Sequence, residues 1–413
     1  MNASKVENTS RADRPQSFNM SLLSHHELAG HGGMGEGMSM QRTGDGRRIL
    51  WLAHETGPKN FTAVDVSDPR SPKLVAQTEL PGPKMRSNSL DVVGQILAVA
   101  YQTSAKGDPH AGFELFDISR PEAPRSIAFH SCAGGTSRGV HQLWFVDGEY
   151  IHAASGAPDF TPRNPLDDQI YRIFDVRNPS RPQEAGRWWL PGLREGDEAA
   201  APQRHPRFDA GFRPHNTNVY PERPERCYVG YIDAGVVVLD ISDKSNPRML
   251  CHWDPSPPFP GFTHTVLPLF DRDLLVVSDE SVKDNAEDWP KLVWVLDYRC
   301  EDNPVPISTF PMPPRDVFGR RGGRFGAHNL HENQPGSFRS SSIVVGTFFN
   351  GGVRAFDISD PYRPEEIAYY VPESPRLAPT GAIQLNDVYV DDRGVVFSMD
   401  RHIGGLYALE MKV

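Results

Sequence analysis

Only four cysteines occur in the 413 residues (Cys132, Cys227, Cys251 and Cys300), and no two stand at CxxC spacing. A zinc ribbon, a thioredoxin-like redox pair and a disulfide framework are therefore excluded, and small buried side chains are expected instead. No apolar run is long enough to span a bilayer. The opening residues, MNASKVENTSRADRPQ, lack the apolar core of a signal peptide, so a cytoplasmic location is expected. A formal charge of −10 argues against a general nucleic-acid or membrane surface role. There is no GxSxG elbow, no phosphate-binding P-loop, no GxGxxG between a strand and a helix, and no HExxH. These absences remove the usual serine-hydrolase, nucleotide and zinc-protease signatures.

What the chain has in abundance is turns, with 38 prolines and 36 glycines. They punctuate a repeated unit whose clearest copy is GGVRAFDISDPYRPEEIAYYVPE, residues 351 to 373. An apolar run ends in an aspartate, a Ser-Asp-Pro turn follows, and after a second proline another apolar run begins: strand, turn, strand. The aspartate recurs as Asp65, Asp117, Asp175, Asp240, Asp297 and Asp357, and a weaker seventh copy ends at Glu410. Successive anchors are 52, 58, 65, 57, 60 and 53 residues apart, room for about four strands each. Working back from each anchor finds the other strands, such as NTNVYPE and CYVGYIDAG before Asp240. Four-stranded units repeated radially predict an all-β, seven-bladed β-propeller.

The segments VVVLDIS and RAFDISDP, with their sister copies, resemble the LVIVD-repeat propeller family over about nine tenths of the chain. The resemblance implies the fold and leaves the chemistry open, because a propeller hosts many functions. One domain is expected over residues 18–413, preceded by a polar disordered arm over 1–17. Ser21 to Gly30 aligns with Lys73 to Gly82 as an outer strand, while the last blade stops at Val413 directly after its anchor strand. The N-terminal strand is therefore expected to complete the last blade and bury two open sheet edges.

Chemistry is expected where the seven inner strands begin. Aligned starts are Met38, Asn88, His141, His215, His264, His328 and Ile383, so four consecutive blades place a histidine at one structural position. Those imidazoles should converge on the channel mouth as neutral ligands of one divalent metal; the bland reading is a polar, water-filled channel. Four imidazoles bring no negative charge, so carboxylates are expected behind them, orienting the rings. The loops leaving the second strands offer Glu55, Asp233, Asp279, Glu280 and Asp400, with His402 and His331 as weaker ligand candidates.

An all-imidazole site without thiolate suits iron(II), copper, manganese, cobalt or zinc, and the likeness that follows implies iron(II). The arrangement is similar, in architecture alone, to the carotenoid cleavage oxygenases, which also hold an iron by four histidines on the axis of a seven-bladed propeller. Copper-using methanethiol oxidases also place histidines on a propeller, and Met34, Met38 and Met40 would favour copper if they faced the mouth.

Two insertions, residues 193–213 and 314–327, enter the His215 and His328 strands and should overhang the mouth. They carry Arg204, Arg207, Arg213, Arg315, Arg320, Arg321 and Arg324 interleaved with Phe208, Phe212, Phe318 and Phe325. Of these, Arg207, Arg213 and Arg324 with Phe212 and Phe325 are the expected substrate-binding set, and Glu280, Asp233, Glu55 and His402 the expected catalytic set. The first reading is a mononuclear non-haem oxygenase or oxidase acting on a small aromatic or unsaturated carboxylate. The second is a redox-neutral metal-dependent lyase or hydrolase, and the third a non-catalytic interaction propeller.

Overall fold

The structure, a computed structural model, describes residues 15–413. Seven antiparallel sheets follow one another along the chain. The first comprises Met34–Arg42, Arg48–His54, Lys59–Asp65 and Lys73–Glu79, innermost to outermost, and the fifth comprises Thr263–Leu269, Leu274–Asp279, Val293–Asp297 and Val305–Thr309. This is the seven-bladed β-propeller that the repeat predicted. In blade six the inner strand is reduced to a bridge between Leu330 and Gly346. Among the described residues, helix is limited to a single turn at Leu28–Gly30 and another at Arg315–Phe318, and none is long and apolar enough to cross a membrane.

The anchor aspartates explain why the unit repeats. Each closes its third strand and accepts the backbone N–H two residues on: Ser67 to Asp65 at 2.9 Å, Ser119 to Asp117 at 2.8 Å, Arg177 to Asp175 at 3.0 Å. Ser242 to Asp240, Arg299 to Asp297 and Ser359 to Asp357 follow at 2.9, 3.0 and 2.7 Å. Such Asx turns hold the chain for its reversal into the fourth strand. The third strands are buried along almost their whole length, as in Val236–Asp240, Val293–Asp297 and Val353–Asp357, because a blade lies against each face. That two-sided burial is why they read as continuous apolar runs rather than as alternation. Neighbouring blades are also tied by hydrogen bonds, such as Trp144 Nε1 to the Val219 carbonyl at 2.6 Å.

Ring closure follows the expectation and adds a strand to it. Met20–His26 pairs with Leu406–Met411 and supplies the outer strand of blade seven. Just before it, Gln16–Phe18 pairs with Glu365–Val371 as the outermost strand of blade six, so Gln16 and Ser17 leave the expected arm and join the sheet. The rest of that arm, residues 1–14, lies outside the described residues. Cys132, Cys227 and Cys251 are buried as expected, whereas Cys300 is exposed, because it sits in the turn after the blade-five anchor.

Candidate metal centre

Each blade begins its inner strand with an irregularity, and that irregularity aims one side chain at the axis. In blade three Val140 pairs with Ser155 and Gln142 with Ala154, leaving His141 as the extra residue of a β-bulge. Blade five does the same around His264, between the pairs Thr263–Asp279 and Thr265–Ser278. His215 and His328 sit in equivalent places. Their N–H groups donate to Gly230 O at 2.7 Å and Thr347 O at 3.0 Å, while the N–H of Gly230 and Thr347 returns to the carbonyl of Asn216 and Asn329. A bulge re-aims a side chain without ending the pairing.

The same register corrects two of the aligned positions. In blade seven the extra residue between the pairs Leu385–Asp400 and Asp387–Met399 is Asn386, not Ile383. In blade one, Met34 pairs with His54 and Met38 with Leu52, so three residues stand opposite one, and Glu36 rather than Met38 takes the axial place. Gly35 and Gly37 flank it because a Cβ at either would run into the backbone of Asn88 or Leu90. The ring therefore reads Glu36, Asn88, His141, His215, His264, His328, Asn386.

Glu36 is the central residue that the sequence reading missed. Its Oε2 lies 3.5 Å from His215 Nε2, 3.7 Å from His264 Nε2 and 3.9 Å from His141 Nε2, and its Oε1 lies 3.5 Å from His328 Nε2. All five groups are buried. Every Nδ1 is occupied on the outer side: His141 on Gln102 Oε1 at 3.0 Å, His215 on Asn216 Oδ1 at 2.8 Å, His264 on Thr265 Oγ1 at 2.8 Å and His328 on the Asn386 carbonyl at 2.6 Å. Acceptors there place the proton on Nδ1 and leave the Nε2 lone pairs facing inward. His264 Nε2 and His328 Nε2 are buried with no hydrogen-bond partner, and His141 Nε2 and His215 Nε2 face each other at 2.8 Å.

The electrostatics match a set of neutral ligands around an anion. Burial, then the neighbouring imidazole of His264, pushes His215 down to about 4. Burial and the charge of His215 hold His141 well below its ordinary value. For Glu36 burial works the other way, and the His264 and His328 imidazoles outweigh it when they turn an N–H to the carboxyl in place of a lone pair, which holds it well below its ordinary value.

The expected carboxylates are arranged differently from the expectation. The groups holding the four Nδ1 atoms are neutral oxygens, not Asp or Glu, because amides, hydroxyls and carbonyls of the first and second strands lie closer. Glu280 instead joins the centre, with Oε1 at 3.6 Å from His328 Nε2 and 2.6 Å from Arg324. Asp233 accepts the Ala210 and Gly211 N–H groups at 2.7 and 2.8 Å, bracing the 193–213 loop; burial raises it to about 7. Asp279 holds Trp294 Nε1 at 2.7 Å. Asp400 caps the turn at Gly404, and His402 lies in that turn, outside the four-histidine set. His331 spends both ring nitrogens, on Phe338 O at 2.7 Å and the Val390 N–H at 3.2 Å. Glu55 takes charge-assisted bonds from Arg86 and Arg401.

Around the centre stands a rim of arginines, only some of them foreseen. Arg86 lies 3.4 Å from His141 Nδ1, Arg138 pairs with Asp168 at 2.6 Å, and Arg401 reaches Asn386 Oδ1 at 3.1 Å. Arg213 and Arg324 complete it. Arg207 is exposed and lies over the Phe208 ring. Phe212 and Phe325 are in the core, the first under the Arg204 guanidinium and the second stacked on Trp289, so neither lines the mouth. Loops of this length carry their own packing, and the phenylalanines supply it.

The family profile of the LVIVD repeat matches residues 57–79 and 227–254, which fall on the strand, turn and strand around Asp65 and Asp240. Among curated proteins none matches the chain. A chain in the crystal structure of the mitotic checkpoint complex is similar over 99% of this chain and 96% of its own length, with a TM-score of 0.55 and 10% identity. The β-propeller domain of Myceliophteria thermophila Cps50 (Swd1) is similar over 93% and 98%, with a TM-score of 0.54 and 11% identity. At such identities the likeness concerns the fold alone. The chain thus carries LVIVD repeats in a seven-bladed propeller, with a histidine and acidic cluster near its axis.

Proposed function

We propose that this protein is a mononuclear metalloenzyme, an oxygenase or oxidase of a small carboxylate, whose ion is held by His141, His215, His264 and His328 with Glu36. The observation carrying the reading is the convergence of four buried Nε2 atoms, two of them without any partner, on one buried carboxylate. A buried polar atom with nothing to bond costs about 1–3 kcal/mol, so two side by side favour a group that occupies both. The donor set is nitrogen and oxygen without thiolate, which suits iron(II), manganese, cobalt, copper or zinc. Glu36 and Glu280 offset the charge of a dication, which four imidazoles alone would leave uncompensated. Bound there, iron(II) supplies a redox centre and a Lewis acid. The chain's own part is to fix the tautomers through Gln102, Asn216, Thr265 and Asn386, and to keep the imidazoles neutral by burial.

The test is elemental analysis of the purified protein, followed by oxygen uptake with small carboxylic acids. A single transition metal with acid-dependent oxygen uptake supports the reading. Metal without oxygen uptake, but with turnover of an acid, moves it to a lyase or hydrolase, and a metal-free protein that refuses reconstitution leaves an interaction propeller.

A further inference from the structure

The rim arginines are not equivalent. Arg86, Arg138, Arg324 and Arg401 each face a carboxylate: Glu55, Asp168, Glu280 and again Glu55. Arg204, in the same loop as Arg213, is held by Asp167 at 3.0 Å and Asp209 at 2.6 Å. Arg213 alone of this group has no carboxylate within 4 Å among the described residues. Its bonds go to neutral acceptors, Nε to the Ala210 carbonyl at 3.2 Å and NH1 to Gln169 Oε1 at 3.3 Å. A guanidinium held in such a place with no carboxylate paired to it is costly unless something anionic arrives.

A second observation points to the same spot. Gln169 is buried, its Oε1 is turned to Arg213, and its Nε2 has no hydrogen-bond partner. An amide donor without an acceptor thus lies beside a guanidinium whose side-chain and backbone partners are neutral oxygens. They lie beside the centre, since Arg213 stands two residues before His215 and Gln169 is bonded to it.

We propose that Arg213 and Gln169 form a carboxylate-binding site at the edge of the metal centre, taking the acid group of a small organic substrate between the guanidinium and the amide Nε2. Arginine suits a planar carboxylate because its fork fixes orientation as well as charge. Asp168 lies close by, but Arg138 offsets its charge. The assignment rests on the metalloenzyme reading for its purpose, that of presenting the rest of the acid to the His141 side of the centre. The binding itself requires no metal.

The experiment is calorimetric titration of metal-stripped and metal-loaded protein with acetate and benzoate, and with acetamide and benzamide as neutral analogues. Benzoate or acetate is expected to bind both forms, and the amides about 10- to 100-fold more weakly. Arg213→Gln should lower carboxylate affinity by a similar factor while leaving metal content unchanged, and Gln169→Leu should lower it by a smaller factor. Arg320→Gln, at an exposed arginine of the other loop, should leave it unchanged. If Arg213→Gln loses its circular dichroism, Gln169→Leu decides. Carboxylate binding that survives both substitutions, binding equal to that of the amides, or no binding at all overturns the site. Carboxylate binding to a protein that takes up no metal would sink the metalloenzyme reading and leave this site standing.

Discussion

Glu36 Oε2 and His215 Nε2 stand 3.5 Å apart although one belongs to blade one and the other to blade four. A carboxylate that spans the ring in this way lies within reach of all four neutral imidazoles and can offset the charge of a cation held among them. His141→Ala, His215→Ala, His264→Ala and His328→Ala should therefore each reduce bound metal, which is expected at about one equivalent, and leave the circular dichroism intact. Glu36→Gln preserves shape and removes charge, and should lower metal affinity by more than about 100-fold, beyond the usual effect of an outer partner. Full occupancy in any two of the histidine variants, measured by elemental analysis, would remove the centre.

Much of this was legible in the chain because the repeat is legible. The anchor aspartates mark an Asx turn in six blades, and stepping back over two strands from each reaches the inner-strand starts at His141, His215, His264 and His328. That alignment fails in blades one and seven for a physical reason. Three residues face one in blade one, and the bulge of blade seven comes later than the alignment placed it. The signal for Glu36 was nevertheless present: an acid between two glycines at the head of an inner strand. Phe212 and Phe325 misled in the opposite sense, since apolar residues in a long loop can serve the loop's own packing.

Glu280 sits between His328 and Arg324, at 3.6 and 2.6 Å, so it answers to both the centre and the rim. Glu280→Gln should lower metal affinity about 10- to 100-fold, less than Glu36→Gln. Arg324→Gln alone leaves the Glu280 charge without its guanidinium, so the double variant should be milder than the sum of the singles. Strict additivity in metal-binding titrations would show that the pair does not act on the centre.

The N-terminal clasp makes a prediction about stability. Met20–His26 closes blade seven and Gln16–Phe18 extends blade six, with Met20 in the core between them. Removing residues 1–14 should leave the melting temperature unchanged. Removing residues 1–26 bares a sheet edge on each of two blades, and should lower the melting temperature on the order of 10 °C or abolish soluble expression. Removing residues 1–18 should fall between. Identical behaviour of the shortest and longest truncations would show that the clasp carries no stability.

Behind Glu36 a cavity of about 20 Å³, room for roughly one water, is lined by Asp91, Glu332, Asp387 and Gln142. Burial raises all three acids, Glu332 to about 7, although Asn216 and Asn218 donate to it at 2.6 and 2.8 Å. A carboxyl raised in the folded state favours folding fully below its unfolded value and loses that contribution as pH rises towards the folded one. The folded protein should therefore lose stability between about pH 4.5 and 7 through Glu332, by on the order of 3 kcal/mol. Glu332→Gln keeps an oxygen for the two asparagines and removes the titration. Urea denaturation of metal-stripped protein should then show the variant gaining on the wild type as pH rises from 5 to 8. The other raised acids, Asp91 and Asp387 among them, remain in both proteins, so the difference isolates Glu332. Parallel curves across that range would mean that Glu332 is already ionised in the folded channel.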